Sequence, residues 1–311
     1  MEKLANGSSH AKVILLGEHA VVYGQPAIAL PLPDLAMTVT IETREAGQVV
    51  IAQGYQGPLE TMAEMYEGVR QLIIRLLRYF DALETPFTIR INSNIPQERG
   101  MGSSAASAIA IIRAFFAFFD TPLSDELLQK WANVEESITH GAPSGIDAAT
   151  AANDVPVWFV KGGAPQTMPM DFHGTLIIAD TGVHGQTGLA VSVVREQLND
   201  NPTVMQPHID ALGQLATDAK AALANDQAVT LGQYMDEAHQ HLSDLGVSHP
   251  KLDKLVTAAR QAGALGAKLT GGGVGGAMLA LAKDAASAQT IVQALEQAGA
   301  QDIWVQNYPQ A

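Results

Sequence analysis

Short apolar runs bounded by polar or turn residues open the chain. Ala11–Leu16, Ala27–Leu30 and Met37–Glu42 are rich in aliphatic and β-branched residues and predict strands, as does Phe87–Asn92, where Phe87, Ile89 and Ile91 alternate with polar neighbours. Between them the apolar positions of Tyr66–Phe80 recur at helical spacing and predict an amphipathic helix. Ser104–Phe119 is apolar on almost every face, which predicts a helix at the centre of a domain. Another helix is expected over Leu123–Ser137, with Ser124 as its N-cap and Glu135 and Glu136 at its end; His140-Gly141-Ala142-Pro143-Ser144-Gly145 stops it.

From Leu176 the rhythm changes. A strand at Leu176–Asp180 is followed by mostly helical segments through His241, then a helix Lys251–Ala262, strands Ala267–Thr270 and Ala277–Leu281, a helix Ala285–Ala298 and a strand Ile303–Gln306. Strand, helices, strand, strand, helix, strand is the order of a split βαβ sandwich. With 311 residues, 47% of them apolar, the chain exceeds one ordinary domain, and a boundary near Asp171–Gly174 divides it into 1–173 and 174–311. The apolar run Ala105–Phe119 is interrupted by Arg113 and is too short for a membrane span. The N-terminus carries no apolar signal core and the chain has no cysteine, so the expected address is the cytoplasm. A formal charge of -14 argues against nucleic acid as a partner, because such binding needs a basic footprint.

Three stretches carry candidate chemistry. In the first, the apolar strand Val13–Leu16 is flanked by Lys12 and by Glu18-His19. Taken alone, this is a Lys–Glu surface pair at strand ends. In the second, Pro96-Gln97-Glu98-Arg99-Gly100-Met101-Gly102-Ser103-Ser104-Ala105-Ala106 puts small residues directly before a helix. Glycines let backbone approach a ligand, and the unpaired amides of a first helical turn attract anions, so a phosphate suits the loop. A serine-capped glycine turn is the plainer reading. The third region combines Glu136, His140 and Asp147 with a late glycine run, Gly271-Gly272-Gly273-Val274-Gly275-Gly276, opened by Lys268-Leu269-Thr270. Asp147 could equally serve as an N-terminal helix charge, and the glycine run as a tight connection between strands.

Gly100-x-Gly102-x-x-Ala105 with Asp120 about 20 residues on also matches a dinucleotide fingerprint. That fingerprint must follow a strand immediately, yet a loop containing Pro96 separates Phe87–Asn92 from Gly100, and Asp120 ends a helix. The chain has no G-x-x-x-x-G-K-[ST] loop, no protein-kinase V-A-I-K and D-F-G set, and no G-x-S-x-G elbow.

In this order and together, the three motifs resemble those of the GHMP kinases, a family named for galactokinase, homoserine kinase, mevalonate kinase and phosphomevalonate kinase. Gly17-Glu18-His19-Ala20-Val21-Val22-Tyr23-Gly24 and His140-Gly141-x-Pro143-Ser144-Gly145-Ile146-Asp147 are similar to the members that phosphorylate mevalonate. The resemblance implies an α+β fold of two domains, the N-terminal one like ribosomal protein S5 domain 2 and the C-terminal one a ferredoxin-like split βαβ. It also implies ATP as phosphoryl donor, with Pro96, Gly100, Met101, Gly102, Ser103, Ser104, Ala105 and Ala106 around the nucleotide. Ser104 and Glu136 match positions that hold Mg2+. Asp147 and Lys12 match the catalytic pair, while Lys12, Glu18, His19, Asp147, Thr187 and Gly272 match positions at the acceptor, (R)-mevalonate. A homodimer is the family expectation. Met101, Ser107, Ala148 and Ala277 depart from the usual residues and bear on substrate fit rather than reaction class. Other acceptors (phosphomevalonate or a sugar), a catalytically silent ATP sensor and a dinucleotide oxidoreductase are the remaining readings.

Overall fold

The computed structural model describes residues 3–96, 99–140 and 145–308, with backbone alone for 135–140. In chain order the first half runs β1 (Leu4–Leu16), β2 (Pro26–Thr43), β3 (Gln48–Ala52), β4 (Tyr55–Pro58), α1 (Glu67–Tyr79), β5 (Phe87–Ser93), α2 (Ser103–Phe118), α3 (Asp125–His140) and α4 (Ile146–Ala151). The second half runs β6 (Val157–Val160), β7 (Gln166–Thr167), β8 (Gly174–Asp180), α5 (Thr187–Asp200), α6 (Pro202–Ala224), α7 (Ala228–Asp244), α8 (Pro250–Gln261), β9 (Gly266–Leu269), β10 (Ala277–Ala282), α9 (Ala285–Ala298) and β11 (Asp302–Tyr308).

Two compact units share these elements. One comprises Met1–Lys12, Pro31–Pro96 and Gly102–Asp154; the other comprises Val13–Leu30, Gln97–Met101 and Val155–Ala311. The units therefore interleave in sequence, where a single cut between residues 173 and 174 keeps each half contiguous. The cause is strand length, because β1 and β2 each run from one unit into the other.

In the first unit β3 pairs with β4 antiparallel and with β5 parallel, and β5 pairs antiparallel with Met37–Thr43 of β2. Helices α1, α3 and α4 all pack on α2. The apolar character of α2 is explained by that position: eleven of its residues, from Ala105 to Phe118, are buried. Phe115 meets Phe87 of β5 edge to face with centroids 5.6 Å apart. Both are fully buried, which is worth about 1.5–3 kcal/mol each relative to exposure. Ser124 caps α3 as expected, accepting from the Leu127 amide at 3.2 Å.

In the second unit Pro26–Ala29 of β2 pairs with β6, which pairs with β7. A separate antiparallel sheet has the order β11-β8-β10-β9. Numbered by first appearance its strands stand 4-1-3-2, with α5 to α8 between the first two and α9 between the last two, so the split βαβ reading holds. Helices α8 and α9 pack on this sheet and on each other.

Three local differences from the sequence reading have clear causes. Strand β1 begins at Leu4, seven residues earlier than the apolar run, because the buried positions of its first half are the small residues Ala5, Gly7 and Ser9. Strand β2 is continuous where two strands were expected. Its Pro31 and Pro33 fall between the residues paired with β6 and those paired with β5, so neither ladder loses a donor. The β3–β4 hairpin is unanticipated, its strands being only 5 and 4 residues long. Among the described residues no helix is long and apolar enough to cross a membrane.

Candidate active site

In the first unit the chain enters α2 at Gly102. Gly102 is the N-cap, at φ 73° and ψ 28°. Two constraints keep it glycine, since a left-handed backbone disfavours a side chain and a Cβ here would lie 2.9 Å from Cγ of Lys12. The Ala106 amide closes the first helical turn onto the Gly102 carbonyl at 2.9 Å. The start of a helix is the positive end of its dipole, so this turn presents about half a positive charge to an anion. Met101 is buried, Gly100 is exposed, and Pro96, Ser103 and Ser104 are half-buried.

Lys12 lies beside this turn and is itself buried, with its Nζ 2.8 Å from Oδ1 of Asp147. Asp147 sits in the first turn of α4 behind Gly145, and 34% of its side chain stays exposed. The strand-end pairing of Lys12 with Glu18 is therefore not formed. Each finds a different partner, and Asp147 combines its place near a helix N-terminus with a direct ion pair. A buried ammonium holding a half-open carboxylate leaves that carboxylate able to reach a hydroxyl.

In the second unit Glu18 forms an ion pair with Lys268 in which both side chains are sealed from solvent, at 2% and 0% exposure. The Lys268 ammonium also donates to the Leu269 carbonyl at 2.6 Å. Burial lowers the Lys268 pKa, and the Glu18 carboxylate opposes that shift. His19 adopts φ 60°, a conformation uncommon outside glycine. Its Nε2 stands 2.9 Å from the Gly272 carbonyl oxygen. A carbonyl only accepts, so Nε2 carries the hydrogen and Nδ1 is left as an acceptor on the neutral ring. Burial pushes the His19 pKa down and favours that neutral form.

Gly272 is also pressed against Thr187, the first residue of α5, where a Cβ would come within 2.7 Å of the threonine Oγ1. His19, Gly272 and Thr187 are thus gathered at one place. The loop is anchored by Thr270, whose hydroxyl donates to the Ile14 carbonyl at 2.8 Å.

Lys268 is a residue to which the sequence reading gives no role. Its signal was a lone lysine in the otherwise apolar strand Gly266–Leu269, where all four residues are buried. Arg99 was likewise passed over. Its Nε lies 2.5 Å from Oδ2 of Asp180, a fully buried residue at the end of β8, in an ion pair within the second unit. Of the expected metal pair, Ser104 lies in the first turn of α2, while the Glu136 side chain, like that of His140, lies outside the described residues. A hydroxyl and a carboxylate form an all-oxygen donor set that fits a hard cation such as Mg2+.

The family model described as "GHMP kinases N terminal domain" matches residues 69–153, and that described as "GHMP kinases C terminal" matches residues 219–301. A mevalonate kinase of Pyrococcus abyssi is 36% identical over 304 residues, covering 91% of this chain and 90% of that protein. The crystal structure of mevalonate kinase from methicillin-resistant Staphylococcus aureus MRSA252 superimposes with a TM-score of 0.77 at 34% identity, covering 98% of this chain and 99% of that one. The L. major mevalonate kinase in complex with R-mevalonate gives a TM-score of 0.83 at 26% identity, covering 100% of this chain and 98% of that one. With the ordered motifs, the split βαβ sheet and matches that span nearly its whole length, the chain belongs to the GHMP kinases, which use ATP as co-substrate.

Proposed function

We propose that this chain transfers the γ-phosphoryl group of ATP to the C5 hydroxyl of (R)-mevalonate, giving 5-phosphomevalonate and ADP. The observation that carries the reaction class is the 2.8 Å pair of Lys12 with Asp147 beside Gly102, at the start of α2. The choice of acceptor rests on the mevalonate kinases at 34–36% identity.

The start of α2 at Ser103, Ser104 and Ala105 binds the phosphates, with Pro96, Gly100, Met101, Gly102 and Ala106 shaping the approach. Asp147 orients the hydroxyl. A carboxylate is a far weaker base than an alkoxide, so full deprotonation of the hydroxyl before transfer is strongly uphill. A loose phosphoryl transition state needs little nucleophilic push, so Asp147 takes the proton late. Lys12 holds the carboxylate and balances the charge of the moving group. At about 4 Å and an effective dielectric near 20, its full charge is worth about 4 kcal/mol, roughly twice the half-charge of the helix end.

Ser104 and Glu136 would hold Mg2+, which when bound neutralises charge on the ATP phosphates. His19 and Thr187, which meet at Gly272 within the second unit, are assigned to acceptor binding on the family resemblance, His19 offering Nδ1 to a hydroxyl. Glu18 is buried against Lys268, which supports a positioning role behind His19 instead of direct contact with substrate. The lack of cysteine suits a cytoplasmic enzyme, and a homodimer is the assembly to test by light scattering.

A coupled ADP-release assay over mevalonate, phosphomevalonate and galactose tests the acceptor. Mevalonate is expected to give the highest kcat/KM. Faster turnover of either other compound would reassign the substrate, and no ADP release with any of them would remove the kinase reading.

A further inference from the structure

Away from every residue given a role above, helices α6 and α7 bring three metal-ligating side chains to one point. The helices are consecutive and pack together across a connection of residues 225–227. His208 comes from the first half of α6, and His241 and Asp244 from the last turn of α7. Residues three apart share a helix face, so His241 and Asp244 both turn toward α6. Nδ1 of His208 stands 2.9 Å from Nδ1 of His241 and 3.8 Å from Oδ2 of Asp244. One ligand atom from each of the three residues lies within 4.8 Å of the others.

Two neutral imidazole nitrogens that face each other can share only one hydrogen, and a carboxylate beside them can only accept. A cation at their centre satisfies all three lone pairs at once. Tetrahedral zinc with bonds of about 2.0–2.1 Å places its ligand atoms roughly 3.3 Å apart, a spacing between the two separations found here. The outer shell fits as well. Glu237, one turn before His241 on α7, puts Oε1 3.8 Å from the opposite ring nitrogen, Nε2. A metal-bound histidine characteristically gives its other N–H to such a carboxylate, which fixes the tautomer and raises ligand basicity. Imidazole and carboxylate ligands suit zinc and its neighbours and discriminate against Mg2+, which prefers an all-oxygen shell.

We propose that His208, His241 and Asp244 form a divalent transition-metal site, best matched to zinc, that fastens α6 to α7 with Glu237 as the supporting carboxylate. The two imidazoles are about one-fifth exposed and Asp244 about two-fifths, so the fourth position is open to water. The site shares no ligand with the phosphoryl-transfer groups.

The test uses the full chain, stripped with chelator and titrated with Zn2+ by calorimetry and thermal melting, with Co2+ as a spectroscopic substitute. One equivalent of Zn2+ is expected to bind and raise the melting temperature. His208→Ala and His241→Ala should each weaken binding at least tenfold and abolish the rise, Glu237→Gln should weaken it about 10–100-fold, and His173→Ala should leave it intact. The visible spectrum of the Co2+ form should be that of a four-coordinate ion, a readout on the unmutated chain that stands even where a variant folds poorly. No binding, binding undiminished in both histidine variants, or a six-coordinate Co2+ spectrum would overturn the site.

Discussion

Each compact unit contains a buried lysine bound to a carboxylate, and the two pairs differ in how far water reaches the acid. Lys12 is buried, but Asp147 keeps about a third of its side chain in contact with solvent. Lys268 and Glu18 are both sealed, and Lys268 gives a second hydrogen bond to its own neighbour's carbonyl. Attraction within such a pair is largely offset by the loss of hydration, and removing one partner strands the other charge at a cost of several kcal/mol. The same two functional groups are therefore put to different uses. An accessible carboxylate can exchange part of its bonding for a substrate hydroxyl, while a sealed one can only hold its neighbours in place. On the proposed function Lys12–Asp147 is the reactive pair and Glu18–Lys268 a brace beneath His19.

The largest effect that separates the two pairs is on turnover. Asp147→Asn, which leaves an amide oxygen to accept from the buried Lys12, and Lys12→Met, which leaves a carboxylate that water still reaches, should each lower kcat by about 10²–10⁴-fold, the usual worth of a positioned acid or base, while circular dichroism and melting remain close to the unmutated chain. Near-normal turnover in a folded variant would end the distinction. The sealed pair should respond in the opposite way. Lys268→Met or Glu18→Leu alone should cost about 3–5 kcal/mol in urea unfolding, and the double variant should recover much of it, because replacing both members of a buried pair leaves no stranded charge. Single-variant costs below about 1 kcal/mol, the range of exposed pairs, would show that Glu18 and Lys268 do not brace the site.

What the sequence disclosed about these pairs follows from how local each signal is. Lys12, Glu18 and Asp147 stand out because charged residues flank an apolar strand or follow a glycine stop, and these are patterns readable within ten residues. Their partners are not, since Lys12 and Asp147 are 135 residues apart and Glu18 and Lys268 are 250 apart. Proximity in sequence accordingly suggested Lys12 with Glu18, whereas strand β1 carries the chain from one unit to the other between them. The C-terminal sheet was legible because its strands are continuous apolar runs separated by recognisable helices. The first half of β1 was not, because Ala5, Gly7 and Ser9 fill its buried face without a hydrophobic pattern. The His208–His241–Asp244 cluster is equally silent in sequence, since it requires α6 and α7 to be folded against each other.

The smallest effect probes the surroundings of the sealed pair through pH. His239 on α7 accepts a hydrogen bond from the Leu269 amide at 3.3 Å, one residue from Lys268, and its Nε2 faces Asp253 at 3.4 Å. Its pKa is lowered to about 4, first by burial and then by the charge of Arg260, with Lys268 adding a little and Asp253 and Asp236 opposing. As pH falls below 6.5 the unfolded chain takes up a proton that the folded chain refuses until about 4, so stability declines through that window and levels off beneath it. Between pH 7.5 and 5 the loss from this one group is about 2 kcal/mol. His239→Gln keeps an amide able to accept from Leu269 and donate to Asp253, so urea unfolding at the two pH values should show a slope shallower by about that amount. His19, also held neutral by burial, titrates in the same sense but is present in both proteins, so the difference isolates His239. In Lys268→Met the nearby positive charge is gone and the acid loss assigned to His239 should shrink. An unchanged slope in that variant would mean that the sealed pair's charge is not felt beyond its own hydrogen bonds, leaving burial and Arg260 to set the histidine.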